Sequence, residues 1–505
     1  MAFEGESYLN ENEIEHILKS GAERKCLDLS GHVINADHAL LISDWIVSSH
    51  LFSFEHVNLN SCKIPQRGFD ALVSCAVDFK ELTTFSACAN EFNREAGFAV
   101  SKLLGARGRL KRLNLSDNRF GDVGIASIAG TFTTDLSDLD GNSIVSMLSL
   151  TELDISGNCC GDMGVLALCR GLTQFSRHCA ALGRFPSLKI IDLSRNNIGD
   201  KGSLCLAQLL ASCTILPDTG TARATPRQRD GNTSAGVLRL ERMVLDDNPI
   251  GARGLAAFFD MPVDVALVLS IKSLGLARCK VTIAVFDALI SNLQTQTSSL
   301  ECIDLALTEQ GANQIMLEQL ELTKDSNSHK WTTLFRKLSE AVAECQHHRP
   351  MSLQLGALPE VIRTHCLRAK EDGNMDRFYD LAGALDAMAT MRVSLQLSPG
   401  FLASISTIWA GGNGNATSSR PTIETNLFSS PSSQIEPQTI NSGSGNTESV
   451  RKLISSSSGQ NAPVTLTPSQ KMEKQQLEFS RLRHEHSVGQ LHVFLLPSLL
   501  TVILF

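Results

Sequence analysis

The sequence predicts an α/β repeat solenoid, in which short parallel strands line one side of the stacked coils and helices line the other. Three observations carry that expectation. One frame, LxxLxLxxNxI, recurs along more than half of the 505 residues. Where nothing is inserted the copies are evenly spaced: Val57, Phe85 and Leu113 stand 28 apart, and Leu274 and Ile303 stand 29 apart. The hydrophobic content is aliphatic, 43% of the chain against 5% aromatic, as thin stacked layers with little room for rings require. A chain of this length also exceeds what one compact core fills, and an elongated array meets that limit without a second core.

In chain order the frame reads LDLSGHVI from Leu27, FEHVNLNSCKI from Phe54, LTTFSACANEF from Leu82, LKRLNLSDNRF from Leu110 and LTELDISGNCC from Leu150. LKIIDLSRNNI from Leu188 and LERMVLDDNPI from Leu240 follow, then two weaker copies, IKSLGLARCKV from Ile271 and LECIDLALTEQ from Leu300. These nine copies predict about nine coils over residues 25–322. Alternating apolar residues, such as Leu113 with Leu115, Leu153 with Ile155 and Ile191 with Leu193, point into the core from a short strand, and the residues between them face outward. Asn118, Asn158, Asn196 and Asn248 stand where each strand turns away. A buried amide there can satisfy main-chain groups of neighbouring coils. Cys62 and Cys279 hold the same position with weaker hydrogen-bonding capacity. Between strands, GDVGIASIAG, GDMGVLALCRGL, GDKGSLCLAQLLASC and GARGLAAFFD pair a glycine-rich entry with apolar residues at helical spacing.

LDISGNCCGDMG and IDLSRNNIGDKG resemble the LDLSxNxIGDxG hallmark of ribonuclease-inhibitor-like leucine-rich repeats, and the resemblance covers about residues 25–322. It implies a horseshoe with a concave strand face that grips protein partners. Among members with so long a repeat, the tandem from Leu150 to Cys213 and the coil ending in Ala277–Arg278–Cys279 resemble the terminal repeats of Tonsoku-like genome-maintenance scaffolds, whose tetratricopeptide and ankyrin repeats are absent here. This chain would then be a fragment or a divergent relative. The phrase DISGNxxGDMG is also similar to regulators of actin capping protein, whose membrane-binding and capping-protein-binding segments have no counterpart here. Ran GTPase-activating proteins are similar in repeat length, but their acidic run after the repeats is not matched.

Around the array, residues 1–24 contain a charged helical segment, NENEIEHILKSG, expected to cover the first coil as an N-terminal cap. Residues 131–149, 173–186 and 214–237 lengthen the spacing and are expected as loops, the last too polar to bury a core. From 323 to about 410 the frame fades, and WTTLFRKLSEAVAEC and RFYDLAGALDAMATM predict amphipathic helices that close the array. Residues 411–470, rich in Ser, Thr, Asn and Gly, are expected to be disordered. A charged helix over 471–488 and an apolar tail over 489–505 complete the chain. The tail's LHVFLLPSLLTVILF is shorter than the about 20 residues a spanning helix needs and contains a proline. A tail anchor, a docked apolar segment and a gene-model artefact remain alternative readings.

Function follows from charge and from missing chemistry. A net charge of -8 speaks against direct nucleic-acid binding, which needs a concentrated basic surface. The start MAFEGESYLNENEIE has neither the basic nor the apolar region of a secretory signal, so an intracellular setting, cytoplasmic or nuclear, with fourteen reduced cysteines is expected. The outward strand positions Asp28, Asn58, Ser86, Asn114, Asp154, Asp192, Val244, Gly275 and Asp304, with Asp246 and several serines beside them, form a polar, mildly acidic surface. It suits a protein partner carrying a basic peptide or patch, although Asp and Ser are also ordinary choices for a solvated strand. Asp28, Asn58, Asn114, Asp154, Asp192, Asp246 and Asp304 are the candidate partner-binding residues. No GxxxxGK[ST] occurs, so the GDxG stretches are turns into helices rather than phosphate loops. Cys345, His347 and His348 lack a second ligand pair at finger spacing. No catalytic residue, metal or cofactor is expected, and the predicted function is a non-enzymatic interaction scaffold. A cofactor that regulates a GTPase is the rival from another class.

Overall fold

Ten short strands, hydrogen-bonded in chain order and all parallel, form the backbone of the protein in the computed structural model. The structure describes residues 9–133 apart from 52 and 107, then 146–212, 238–260, 271–294, 300–322, 330–347 and 350–391. All the described residues fall within Met1–Ala416, and Thr417–Phe505 lies wholly outside them. The Ser-rich segment, the charged segment 471–488 and the apolar tail therefore lie outside them, as does the insertion 214–237.

The strands are β1 (Cys26–Asp28), β2 (His56–Asn58), β3 (Thr84–Ser86), β4 (Arg112–Asn114), β5 (Glu152–Asp154), β6 (Ile190–Asp192), β7 (Arg242–Val244), β8 (Ser273–Gly275), β9 (Cys302–Leu307) and β10 (Ser352–Gly356). Each of the nine sequence frames gives one strand, β1 to β9. The register pairs like with like: Leu27, Val57, Phe85, Leu113, Leu153, Ile191, Met243, Leu274 and Ile303 are successive partners, and all are buried. A one-residue slip would turn this whole column to solvent, so burial fixes the register.

β10 lies in the stretch where the sequence predicts only helices. Leu353 and Leu355 point inward and are buried, and Leu353 pairs with Ile303 of β9. Its segment MSLQLG keeps the alternation but lacks the asparagine and the leading leucine of the frame, so the repeat pattern passes over it.

Fourteen helices occur among the described residues. They are α1 (Glu11–Arg24), α2 (Ala36–Ser48), α3 (Gln66–Ala76), α4 (Ala96–Gly105), α5 (Gly121–Thr131), the single turn α6 (Ser146–Ser149), α7 (Asp162–Ala181), α8 (Asp200–Ser212), α9 (Ala252–Ala256), α10 (Ile283–Gln294), α11 (Glu309–Leu322), α12 (Lys330–Gln346), α13 (Leu358–Glu371) and α14 (Met375–Thr390). Neighbouring helices pack on each other along the array. α1 is a strong local helix: Asn10 and Glu13 form a reciprocal capping box, and Ile14 and Leu18 are buried. The stretch expected as a loop over 173–186 is largely helical, because α7 runs on to Ala181. Leu168, Leu172, Phe175 and Cys179 recur at helical spacing and are all buried, so the apolar stripe carries the helix past the usual coil length. Phe175 meets Phe132 with ring centroids 5.5 Å apart.

Candidate functional site

Two hydrogen-bond ladders fix the strand face before any side chain on it can act. The first uses the turn asparagines. Asn196 Nδ2–H donates to the carbonyls of Ile155 in the preceding coil (3.1 Å) and Leu193 in its own (3.0 Å), while Oδ1 accepts from Asn158 N–H (2.9 Å) and Cys160 N–H (3.0 Å). Asn90, Asn118, Asn158 and Asn248 repeat this bridging, and all five amides are buried. At the same position Cys62 Sγ–H donates to Leu29 O (2.9 Å) and Cys279 Sγ–H to Leu245 O (3.5 Å). Burial pushes both thiols up to about 12, so they are structural donors rather than nucleophiles.

The second ladder explains the GDxG stretches. Asp122 Oδ1 accepts from Gly161 N–H (2.6 Å) and Gly164 N–H (2.9 Å) of the next coil. Asp162 does the same for Gly199 and Gly202, and Asp200 for Gly251 and Gly254. Each aspartate at the start of one helix thus closes the N-terminus of the next, where main-chain N–H groups lack helical partners. In this structure these N–H groups are occupied by carboxylates.

On this frame the outward residues fall into rows that run across the strands. Asp28, Asn58, Ser86, Asn114, Asp154 and Asp192 are successive register partners, and the row continues through Val244 and Gly275 to Asp304. Six of the seven candidate residues therefore stand in one line. The seventh, Asp246, lies two residues further along β7's direction, in the row of Ser156 and Ser194.

These side chains also have a local task that the sequence does not advertise. Oδ1 of Asp28, Asn58, Asn114, Asp154, Asp192 and Asp304 accepts the main-chain N–H two residues on, at 2.9–3.2 Å. Asp246 Oδ1 instead accepts from Ala277 N–H in the next coil, at 2.9 Å. An Asx turn of this kind steers the chain off the strand. It occupies one carboxylate oxygen and leaves the negative charge on the face. Burial raises the pKa of Asp154 and Asp246 above the ordinary carboxylate value, partly countered by these hydrogen bonds, and the neighbouring Asp192 and Asp304 push in the same upward direction. The acidic charge is densest from β5 to β9, while the equivalent positions on β2 to β4 are neutral.

Sequence inspection missed the row on the other side of the core residue. His56, Thr84, Arg112, Glu152, Ile190 and Arg242 are successive register partners, and Arg112 and Arg242 are exposed. The signal was present, since strand alternation turns the residue before the first core position outward as surely as the one after it. Along the rims, Lys25 pairs with Glu55 at 2.6 Å, Lys189 with Glu241 at 2.8 Å, Arg195 with Asp117 at 2.5 Å and Arg278 with Asp247 at 2.5 Å. The Arg195 pair spans an intervening coil, over Gly157, where a Cβ would approach Asp117 Oδ1 to 2.6 Å.

Cys345 is buried, with Sγ–H directed at Leu293 O (3.4 Å), and His348 lies outside the described residues. Among the described residues no group of three or more His, Cys, Asp or Glu is placed to hold a metal. None of the described helices is long and apolar enough to cross a membrane.

The family comparison agrees with the repeats seen here. Residues 110–129, 146–169 and 186–207 match the family model described as Leucine Rich repeat. Tonsoku-like protein of Bos taurus is 29% identical over 159 residues, which is 31% of this chain and 10% of that protein. Leucine-rich repeat-containing protein 41 is 26% identical over 184 residues in Rattus norvegicus, 35% of this chain and 20% of that protein. In Homo sapiens it is 28% identical over 138 residues, 27% and 15%. This chain thus spans a fifth or less of the length of these relatives. An internalin from Listeria monocytogenes aligns over 59% of this chain and 83% of its own at 13% identity, with a TM-score of 0.24.

Proposed function

We propose that this leucine-rich-repeat chain is a non-enzymatic interaction scaffold that receives a partner protein on its concave strand face. The observation that carries the reading is the aligned acidic row: Asp154, Asp192 and Asp304 project from one face of the sheet, the coils of Asp154 and Asp192 held by two ladders of hydrogen bonds and Asp304 joined through the register of β8 and β9. Fixed carboxylates of like sign, spaced by strands about 4.8 Å apart, match a segment rich in Lys or Arg through charge-assisted hydrogen bonds. An extended repeat surface serves such contacts well, and the partly buried positions of Asp154 and Asp246 strengthen electrostatic attraction relative to open water. A setting in which thiols stay reduced belongs to the same reading, supported by the free thiols of the described cysteines.

The test is affinity purification with mass spectrometry, comparing the wild-type chain with a variant carrying Asp154→Lys, Asp192→Lys and Asp304→Lys. The expected result is that a partner with a basic segment is recovered by the wild type and lost by the variant. Equal recovery by both would contradict binding through this row.

A narrower second reading is a piece of a Tonsoku-like genome-maintenance scaffold, favoured by the 159-residue match to the bovine protein. Recovery of replication-fork proteins would support it. Recovery of actin-capping proteins, or acceleration of GTP hydrolysis by Ran, would move the function to the corresponding regulators instead.

A further inference from the structure

The positive charges of the strand face are arranged differently from those of its rim. In the row before the strands, Lys25, Lys189 and Lys272 each have a glutamate in the next coil, at 2.6, 2.8 and 3.9 Å. Lys111, in the same row, has Thr83 and Thr151 as neighbours, and the hydroxyls of both donate to main-chain carbonyls. Next to Lys111, Arg112 reaches, among the described residues, the Thr84 hydroxyl at 3.5 Å. Arg242, in the row of Arg112, stands between Ile190 and Ser273. All three are exposed. Glu152 is the register partner of Arg112, but among the described residues no ion pair joins a carboxylate to Lys111, Arg112 or Arg242. These cations have no ion-pair partner there, and the next row carries Asp154, Asp192 and Asp304 on β5, β6 and β9, with Asn114 and Val244 two residues on from Arg112 and Arg242.

We infer that the segment this face receives is charge-split: a helix lying across the strands, with acidic side chains over Lys111, Arg112 and Arg242 and basic side chains over Asp154, Asp192 and Asp304. The inference rests on the concave-face reading and specifies the partner's chemistry. The dimensions fit a helix. Two residues along a strand separate the two rows by about 6.6 Å, which is less than the width of a helix with its side chains. Arg112 and Arg242 are three strands apart, about 14 Å, which a helix covers in about ten residues. Asp154 and Asp304 are four strands apart, about 19 Å, or about 13 residues of helix. Opposite charges on adjacent sides of one helix would meet both rows at once and fix its direction. A uniformly basic segment would leave three cations facing cations, which disfavours the wrong partner.

Fluorescence anisotropy on the full chain tests this with two labelled 18-residue helical peptides. One carries Lys on one side and Glu on the adjacent side. The other has every Glu replaced by Gln. Because the chain's net charge is -8, non-specific attraction favours the Lys/Gln peptide, so the opposite preference is informative. Two or three exposed pairs at several tenths of a kcal/mol each make the split peptide tighter by about fivefold at low salt. In a chain with Lys111→Glu, Arg112→Glu and Arg242→Glu that preference disappears or reverses. The milder variant Arg112→Gln with Arg242→Gln reduces it, a check that does not depend on the triple variant folding. Equal affinity of the two peptides for the wild type, or an undiminished preference in the variants, overturns the charge-split partner. If neither peptide binds the wild type, the concave-face reading itself fails and this inference falls with it.

Discussion

Asp162 Oδ1 lies 2.8 Å from the main-chain nitrogens of both Gly199 and Gly202, so the first residue of α7 closes the start of α8 in the next coil. The contact depends on the missing side chain. A Cβ at Gly202 would come within 2.7 Å of Asp162 Oδ1 and 2.9 Å of Ile198 Cγ2. Gly202→Ala is therefore expected to lower stability by about 2 kcal/mol through overpacking. Asp162→Ala should cost about 1–2 kcal/mol as a lost cap, and Asp162→Asn, which keeps an acceptor, less. Urea denaturation of the three variants checks the order. A Gly202→Ala protein as stable as wild type would remove the steric basis of the ladder.

The asparagine ladder predicts a larger effect. Asn196→Ala leaves the N–H groups of Asn158 and Cys160 and the carbonyl of Ile155 without their partner in a buried turn, and each orphaned group costs about 1–3 kcal/mol. The expected loss is about 3 kcal/mol or more. Asn196→Cys should be milder, because Cys62 and Cys279 show that a thiol in this position still donates to the preceding coil. Amide hydrogen exchange in residues 155–160 and 193–198 would reveal the opening locally. Protection unchanged by Asn196→Ala would argue against the ladder as the element that binds coil to coil.

How much of this was legible in the sequence depends on whether a residue's role repeats. Leu113, Leu153 and Ile191 announce the strands because each coil needs the same inward pair, and Asn118 or Asn196 recurs because each turn poses the same hydrogen-bonding problem. β10 was hidden because it keeps only the inward pair Leu353 and Leu355 of the frame and has no asparagine to bridge back to the preceding coil. The loop expected over 173–186 became helix because insertion length was judged from spacing, while Phe175 and Cys179 continued the apolar stripe of α7. At the site, the acidic row was visible as consensus positions. The contribution of Lys111, Arg112 and Arg242 was not, because a missing counter-charge depends on which residues become register partners, and inserted segments of unequal length conceal that.

Acidification should loosen the C-terminal helices through His365. Its Nε2 lies 3.1 Å from Asn313 Oδ1 of α11 and its Nδ1 3.3 Å from an Arg377 nitrogen of α14. With the arginine donating to Nδ1, the ring is neutral and donates from Nε2. Burial first, then Arg377 and Arg368, hold its pKa below the ordinary value of 6.5. The unfolded chain therefore binds the proton more readily than the fold, so this contribution is present above pH 6.5 and is lost as pH falls from there through the lower folded value. Thermal melts between pH 7.5 and 5 should show a decline that His365→Gln flattens. An identical pH dependence in the variant would exclude His365 as its source.

Capture of a basic segment should weaken on acidification earlier than an exposed aspartate would predict. The carboxyls of Asp154 and Asp246 titrate above the ordinary 3.8 because burial disfavours their charged forms. As pH falls, they take up protons above the ordinary carboxylate value and the face loses attraction for cations, while raised pH restores it. Asp154→Asn with Asp246→Asn should reduce affinity for the charge-split peptide at pH 7 and shift the remaining dependence to lower pH. Titration curves that superimpose on those of the wild type would show that these two carboxyls take no part.

The central claim is that the acidic row of the strand face holds the partner. Its most direct measurement is the dissociation constant of the purified partner for the wild-type chain and for Asp154→Lys/Asp192→Lys/Asp304→Lys, at matched salt and with circular dichroism confirming equal folding. Three reversed charges at a rigid face should weaken binding by at least about a hundredfold, and raising the salt should narrow the gap. A variant that folds and binds as tightly as the wild type would contradict the account.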